Sequence, residues 1–138
     1  MARPSRGIRN NNPLNIRKSA SKWKGKLTPS HDPDFEQFDT LEHGIRAAVL
    51  IIRTYITKYG INTPEGIIAQ WAPASENNVQ NYVAYVSKVG LLSPRWTLAL
   101  SSTLAISRLL WSMAQYECGR ALDYPTFERV VIDTLRPS

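Results

Sequence analysis

Cysteine and histidine are scarce in this 138-residue sequence, which has one cysteine, Cys118, and two histidines, His31 and His43. A single cysteine excludes an internal disulfide framework. Without any Cys/His spacing typical of zinc ligands, the sequence predicts no metal site, and without a glycine-rich phosphate loop it predicts no cofactor. A nucleophilic role for Cys118 is disfavoured because neither histidine belongs to a recognisable Cys/His signature.

Long apolar runs are also missing, and none approaches the length of a membrane span. The N-terminus is basic and polar and has no apolar stretch of the kind that a secretory signal needs. We therefore expect neither a membrane span nor a signal peptide. With 43% apolar residues, a chain of this length can bury one core without disulfides or metal, so the sequence predicts a single domain.

Acidic residues are absent from residues 1–31, and this local absence, rather than the overall charge of +6, is informative. The remaining chain has nine basic residues against eleven acidic ones. Such a basic segment can follow nucleic-acid phosphates or an anionic cell envelope, or it can simply keep an irregular stretch solvated. Its eight basic residues are Arg3, Arg6, Arg9, Arg17, Lys18, Lys22, Lys24 and Lys26.

The pattern beyond residue 39 predicts a mainly α (α+β) protein. Apolar periodicity, capping residues and glycine stops indicate five helices, which cover residues 41–59, 63–71, 79–90, 104–116 and 125–135. For the first of these, Asp39 and Glu42 have the spacing of a capping box. Residues 10–13 are predicted to form a turn, and residues 23–27 and 35–38 are candidate strands of a small hairpin.

Glu117 occupies an unusual position for a carboxylate. Helical steps back from it reach Met113, Leu110 and Ile106, so it continues an apolar stripe and lies just before the stop signal Gly119. A negative charge in the last turn opposes the helix dipole, and an apolar environment disfavours ionisation. Both effects predict a raised pKa, as in a general acid. The alternative is a carboxylate at a frayed helix end in solvent.

Several motifs, taken in order, resemble lysozyme-like peptidoglycan hydrolases, in particular flagellar-type glucosaminidases and their lytic transglycosylase relatives. The resemblance covers roughly residues 6–119 and also extends to small proteins of bacteriophages and prophages that are described as virion structural proteins. The motifs are Asn11-Asn12-Pro13-Leu14-Asn15-Ile16, Trp23-Lys24-Gly25, Phe35-Glu36-Gln37-Phe38-Asp39-Thr40 before a helix with Ala47 and Ala48, and Trp71-Ala72 followed by Asn77, Asn78 and Tyr82.

The resemblance implies a lysozyme-like domain over residues 1–138, with a hairpin substrate lobe at 12–39 and a helical lobe at 40–138. In that family the catalytic glutamate ends a helix that precedes the double-asparagine loop, yet no acid precedes Pro13 here. Residues 115–119 have the local character of that helix end. The sequence therefore predicts a circular permutation that places Glu117 beside the Asn11 to Ile16 loop. The alternative is a domain that has lost its acid and only binds glycan.

The resemblance also implies roles for other residues. Glu117 would be the general acid, and Glu36, Asp34 or Asp32 could supply the second carboxylate that a hydrolase uses. These three acids are equally well explained as turn and edge residues in solvent, and a lytic transglycosylase needs no second carboxylate. Trp71 and Trp111 are assigned to the core. The residues expected to bind substrate are Asn12, Asn15, Trp23, Phe35 and Tyr82, for which turn formation or core packing is the alternative.

Three functions remain open at this point. The favoured one is a muramidase or lytic transglycosylase that acts on peptidoglycan glycan strands, either as a phage endolysin or as a virion-associated lysin. Its further partners would be other virion proteins or a holin, and its location the virion or the host cytoplasm before release to the cell wall. The second function is a non-catalytic virion or wall-binding protein. The third, less favoured, is nucleic-acid binding through the basic N-terminal segment.

Overall fold

The computed structural model describes residues 5–72 and 78–137. In these ranges the protein is mainly helical, as the sequence predicts, and none of the described helices is both long and apolar enough to cross a membrane. The helices are α1 (Arg6–Arg9), α2 (Leu41–Tyr59), α3 (Pro64–Trp71), α4 (Val79–Gly90), α5 (Thr103–Cys118) and α6 (Tyr124–Leu135).

The long helices begin and end at the punctuation residues in the sequence. Side chains of Thr63, Asn78 and Asp123 each accept a hydrogen bond from a backbone N–H in the first turn of α3, α4 and α6. Gly60 and Gly119 end α2 and α5 in the left-handed conformation, with φ of 67° and 68°, which glycine adopts without steric cost. The predicted bounds of these helices are therefore correct to within about two residues.

The cap of α2 differs from the prediction by one residue. The hydroxyl of Thr40, not the carboxylate of Asp39, accepts the hydrogen bond from the backbone N–H of His43, at 3.1 Å. Asp39 instead contacts the His43 ring, with 2.6 Å between Oδ1 and Nδ1. This pairing lowers the pKa of Asp39 below its ordinary value. Thr40 thus has the N-cap role that the sequence assigned to Asp39, and Asp39 contacts a side chain of the first turn instead.

Helix α5 lies at the centre of the fold and packs against α1, α4 and α6, while α2 packs against α6 and α3 against α4. The buried face of α5 is apolar, and burial of this face removes it from water at a gain of roughly 25 cal/mol per Å². Its fully buried apolar residues are Ile106, Leu109, Leu110, Met113 and Ala114. The predicted apolar stripe before Glu117 is therefore part of the core.

Helix α1 is a feature that the sequence did not indicate, because its four residues are too few to show periodicity. Ser5 caps it, and Gly7 brings it close to the end of α5. A Cβ at Gly7 would lie 2.9 Å from the carbonyl oxygen of Asn12 and 3.0 Å from the sulfur of Cys118. The close approach therefore requires glycine, and it fixes the N-terminal segment beside the C-terminal end of α5.

The predicted hairpin is not a continuous pair of strands. Within the described ranges the β structure consists of two isolated antiparallel bridges, Arg17 to Phe35 and Lys26 to Phe38. Residues 34–39 lie between 16–18 and 25–27, and two backbone hydrogen bonds join them on each side. The Asn12 amide adds a side-chain link to this pairing, because it donates to the carbonyl groups of both Ile16 and Glu36. We refer to residues 10–39 as the polar lobe.

Candidate functional site

A groove of about 510 Å³ lies between the polar lobe and the helices α2 and α3. The polar lobe contributes one wall with Arg17, Trp23 and Phe35. The opposite wall comes from Tyr55 of α2 and from Gln70 and Trp71 of α3, and Glu117 reaches the groove from the end of α5. Most of the lining surface is apolar, which is typical of a ligand site with a few polar groups for orientation.

Both carboxylate oxygens of Glu117 receive hydrogen bonds from groups of other elements. The Asn15 amide nitrogen donates to Oε1 at 3.0 Å, and the Tyr82 hydroxyl donates to Oε2 at 2.9 Å. Asn15 adopts a left-handed conformation with φ of 53°, which asparagine tolerates better than most residues. The structure thus brings Glu117, Asn15 and Tyr82 together from three separate parts of the sequence.

The loop that carries Asn15 docks closely on α2. A Cβ at Gly44 would lie 1.9 Å from the carbonyl oxygen of Asn11, so only glycine permits this contact. Asn11 itself has φ of 52°, and its amide donates to the carbonyl of Phe38 at 3.1 Å. These contacts fix the loop against both the helix and the polar lobe, which determines where Asn15 meets Glu117.

Asn12 supports this loop from inside the protein and does not border the groove. It is fully buried, and its amide nitrogen donates to the carbonyl groups of Ile16 and Glu36 at 3.0 and 2.9 Å. Its amide oxygen accepts from the backbone N–H of Ile16 at 2.9 Å. Because these internal groups occupy both ends of the amide, the structure gives Asn12 a structural role instead of the expected substrate contact.

Tyr82 is fully buried, with its ring stacked on Tyr116 at 4.1 Å between ring centroids. Burial, and then the charge of Glu117, raise the pKa of Tyr82 well above its ordinary value. The hydroxyl therefore keeps its proton at neutral pH and can donate a hydrogen bond to Glu117. It also lies 3.5 Å from the carbonyl oxygen of Met113, a second direction in which the proton can point.

Aromatic side chains border both walls of the groove. Trp23 is half-buried. Two guanidinium groups contact the ring of Phe35, with the central carbon of Arg6 at 4.5 Å and that of Arg17 at 5.2 Å from the ring centroid. Trp71, assigned to the core by the sequence, packs against the core but also borders the groove. Its indole N–H donates to the carbonyl of Leu14 at 2.9 Å. Trp111, also assigned to the core, is half-buried, and its indole N–H donates to the carbonyl of Leu122 at 2.7 Å.

Glu36 does not join Glu117 in the groove. Its side chain is 1% exposed and forms an ion pair with Lys26, with 2.9 Å between Oε2 and Nζ. The backbone N–H of Ser19 donates to the same oxygen at 3.3 Å. Alternation along a strand cannot reveal such a pairing, because Glu36 lies between the two isolated bridges of Phe35 and Phe38 and not in a continuous strand. The observed contacts make Glu36 a structural residue of the polar lobe.

Asp34 and Asp32 also lie away from Glu117, at a separate polar cavity beside Arg6. Arg6 donates to Asp32 through Nε at 3.0 Å and to Asp34 through a terminal nitrogen at 3.0 Å. Asn10 donates to Asp32 as well, at 3.1 Å. The hydrogen bond from Arg6 is the largest cause that holds the pKa of Asp32 well below its ordinary range. These two acids anchor α1 to the polar lobe.

Cys118 follows Glu117 but has the properties of a buried structural thiol. Its sulfur lies 3.3 Å from the carbonyl oxygen of Pro13, and burial raises the pKa of the thiol, which disfavours the thiolate that a nucleophile requires. In residues 5–72 and 78–137, no group of three or more metal-ligating side chains converges.

Sequence reasoning did not single out two groove residues, Tyr55 and Gln70. Tyr55 belongs to the apolar face of α2 in the sequence pattern, which predicts burial. In the structure it is half-buried and lines the groove. Gln70 had no signal in the sequence. Of the Trp71 motif, Asn77 lies outside the described residues, and Asn78 serves as the N-terminal cap of α4.

No family model matches the chain. A curated relative, named "Protein P5", comes from Pseudoalteromonas phage PM2 and is 50% identical over 91 residues. The aligned part covers 63% of this chain and 57% of the relative, so the chain spans little more than half of the relative's length. The name of the relative states no activity. The chain is thus similar to part of a bacteriophage protein.

Proposed function

We propose that this protein cleaves the glycan strands of bacterial peptidoglycan, with Glu117 as the general acid. The observation that carries the proposal is the position of Glu117, whose carboxylate opens into the groove while Asn15 and Tyr82 hold its two oxygens. A general acid must be fixed in orientation within hydrogen-bond reach of the leaving oxygen. The three-residue arrangement meets the first of these requirements.

A circularly permuted lysozyme-like domain accounts for the location of this acid in the chain. Asn15 and Glu117 are 102 positions apart, yet their side chains are in direct contact. In the related hydrolases the acid ends a helix before the double-asparagine loop, whereas here it ends α5 near the C-terminus. Helix α1 lies beside the end of α5, so the N-terminal segment and the acid-bearing helix are neighbours, as a permutation of that fold requires.

The proposed reaction breaks the bond between C1 of N-acetylmuramic acid and O4 of N-acetylglucosamine. The carboxyl proton of Glu117 passes to O4 as the bond breaks, which leaves oxocarbenium character at C1 and a carboxylate on the protein. In a lytic transglycosylase the 6-hydroxyl of the muramoyl residue then attacks C1 and returns its proton to Glu117. In a hydrolase, water attacks in its place. Both routes restore the acid.

Among the described residues that line the groove, Glu117 is the only acid. Glu36 and Asp34, the expected candidates for a second carboxylate, pair with Lys26 and Arg6 instead. We therefore favour the lytic transglycosylase, whose intramolecular step needs no second carboxylate. The chemical distinction lies in the product, since a transglycosylase leaves a 1,6-anhydro end and a hydrolase leaves a reducing end.

The hydrogen bonds to Glu117 also support an alternative, a glycan-binding protein without catalysis. Two donors on one carboxylate favour its ionised form, whereas a general acid must carry a proton. The Tyr82 hydroxyl can resolve this conflict, because it can donate its hydrogen bond to the Met113 carbonyl while its oxygen accepts one from a protonated Oε2 of Glu117. If it does not do so, Glu117 would serve as a fixed acceptor for sugar hydroxyls.

Clearing of purified sacculi separates the enzyme from the binding protein. We expect the wild type to clear sacculi and release muropeptides with 1,6-anhydro ends, as seen by mass spectrometry. Glu117→Gln keeps the shape of the side chain but has no acidic proton, so the rate should fall by about 100-fold or more. Glu42→Gln, at an exposed ion pair with Arg129, is the matched control and should clear at the wild-type rate. Wild-type protein that binds sacculi but releases nothing would establish the binding protein.

The relative from phage PM2 is consistent with action during phage infection. We propose a virion-associated lysin or an endolysin, and peptidoglycan as the partner in both cases. A virion-associated enzyme would co-purify with particles and clear sacculi from outside, whereas an endolysin would accumulate in the host before release. Detection of the protein in washed particles by mass spectrometry decides between these roles.

A further inference from the structure

The two walls of the groove differ in charge. Residues 17–24 of the polar lobe carry four exposed cations and no acid, and several residues of this segment line the groove, including Arg17, Ser19 and Ser21. The opposite wall, from Ile51 to Trp71, lines the groove with uncharged side chains only, as far as the structure describes it. The cations of the basic wall are Arg17, Lys18, Lys22 and Lys24.

Internal ion pairs do not explain two of the three lysines of this wall, Lys22 and Lys24. The carboxylates of the polar lobe are engaged elsewhere, because Glu36 pairs with Lys26 and both Asp32 and Asp34 pair with Arg6. In the described ranges Lys22 and Lys24 are exposed and form no ion pair. Both lysines are direct neighbours in the chain of Trp23, which lines the groove. Two neighbouring cations attract an anionic ligand more strongly than isolated surface lysines do.

The uncharged opposite wall limits which anion can use the basic wall. A uniformly charged polymer such as a nucleic acid would have to place some of its phosphates against that wall, where they lose hydration without gaining a cation. An uncharged chain of sugar rings can occupy the aromatic groove beside Trp23 and Trp71 without that cost. Anionic groups on its branches would then need to project toward one wall only.

We propose that the groove selects a glycan strand whose backbone is uncharged and whose peptide branches carry carboxylates, and that Lys22 and Lys24 bind those carboxylates. This inference rests on the proposed action on peptidoglycan and adds the substrate class, a peptide-bearing strand in preference to a peptide-free one. The lysines are specificity-determining residues, and the bond-breaking chemistry remains with Glu117.

The test compares cleavage of peptide-bearing glycan with cleavage of the same strands after an amidase has removed the peptides. We expect Lys22→Ala/Lys24→Ala to cleave the peptide-bearing strands about fivefold to tenfold more slowly than the wild type at low salt, as loss of two exposed charge contacts implies. On peptide-free strands the loss should be no more than about twofold. Salt at about 0.5 M should abolish most of the preference of the wild type for peptide-bearing over peptide-free strands.

Lys58→Ala/Lys88→Ala is the matched control, because both of these lysines are exposed and belong to α2 and α4, outside the basic wall of residues 17–24. It removes the same charge and should behave as the wild type on both substrates. Equal rates for the wild type and Lys22→Ala/Lys24→Ala on peptide-bearing strands would overturn the inference and leave the proposed function intact. An equal loss on both substrates would also overturn the peptide preference.

Failure of the proposed function is recognised separately. If the wild type cleaves neither substrate, co-sedimentation with sacculi still measures retention of the same variants. Retention that weakens with salt and on loss of Lys22 and Lys24 would support the recognition of peptide carboxylates without catalysis. Absence of retention would overturn both proposals. Tighter, lysine-dependent binding of single-stranded DNA than of glycan would assign the basic wall to nucleic acid instead.

Discussion

The two regions that meet at Glu117 are stabilised in different ways. In α2 to α6 the buried side chains are nearly all apolar, with Ser107, Ser112 and Gln115 as the buried polar residues of the described part. In the polar lobe, by contrast, the buried set includes two asparagines and two acids, Asn10, Asn12, Asp32 and Glu36. Each of these four side chains takes part in a hydrogen bond or an ion pair.

The two regions therefore have different roles: the helical region stabilises the fold, and the polar lobe positions the side chains of the groove. Apolar burial is non-directional and supplies most of the free energy of folding, so the helical region determines whether the chain folds. Hydrogen bonds contribute less net free energy, but each requires a defined direction and distance. The polar lobe is therefore suited to placing Asn15 and Trp23 accurately along one wall of the groove, and it should respond to changes that leave the helices intact.

The largest expected effect on stability comes from the helical core. Leu110 of α5 is fully buried, so Leu110→Ala should lower the free energy of unfolding by about 2 to 5 kcal/mol through lost burial and the cavity that remains. Denaturant unfolding monitored by circular dichroism measures this change. Leu104→Ala removes the same atoms from the same helix at a position that is 51% exposed and should cost less than about 1 kcal/mol. Similar losses for both variants would contradict the account of the core.

A smaller and more local effect is expected in the polar lobe. Asn12→Ala removes the amide that bonds Ile16 and Glu36, and the unpaired backbone groups should cost about 1 to 3 kcal/mol. Because these bonds lie within the lobe, hydrogen exchange should accelerate over residues 12–38 while amides of α5 keep wild-type protection. Asn81→Ala, at an exposed position in α4, is the control. Uniform acceleration in every element would show that the lobe is not a separate unit.

The same contrast explains how much of the fold the sequence could predict. Helix ends depend on local chemistry, so Thr63, Gly60 and Gly119 located them from their own neighbourhoods. The candidate strands at 23–27 and 35–38 instead form single bridges. Two backbone hydrogen bonds join these regions, and the side chain of Asn12, outside both segments, occupies the carbonyl of Glu36. Strand propensity has no information about such a contact.

The candidate site divides in a similar way. The sequence predicted that Glu117 lies beside the loop of Asn15, because the family motif includes a catalytic glutamate that is absent before that loop. This prediction needed the position of one carboxylate relative to one loop. The role of Glu36 depended on a specific partner, Lys26, ten positions away, and periodicity alone cannot identify ion pairs. Tyr55 and Gln70 belong to the groove through the packing of whole helices, which no local pattern records.

The smallest effect concerns the pH dependence of the polar lobe and follows from Asp32. Its pKa is held below the ordinary value, chiefly by the hydrogen bond from Arg6. A carboxyl whose pKa is lower in the folded than in the unfolded state contributes stability above the unfolded value of about 4, and this contribution is lost as pH falls toward the folded value. Because Arg6 is itself exposed to solvent, we expect a loss of only about 1 kcal/mol.

Thermal unfolding between pH 7 and pH 2.5 would measure this contribution. The wild type should lose more stability below pH 4 than Asp32→Asn, which has no carboxyl to titrate at that position. Asp133→Asn removes an acid from an exposed ion pair with Arg136 and should keep the wild-type slope. If Asp32→Asn followed the wild-type curve, the ion pair to Arg6 would not stabilise the polar lobe. The lobe would then depend on its neutral hydrogen bonds, such as those of Asn12. It would differ from the helical core through the directionality of those hydrogen bonds and not through ion pairs.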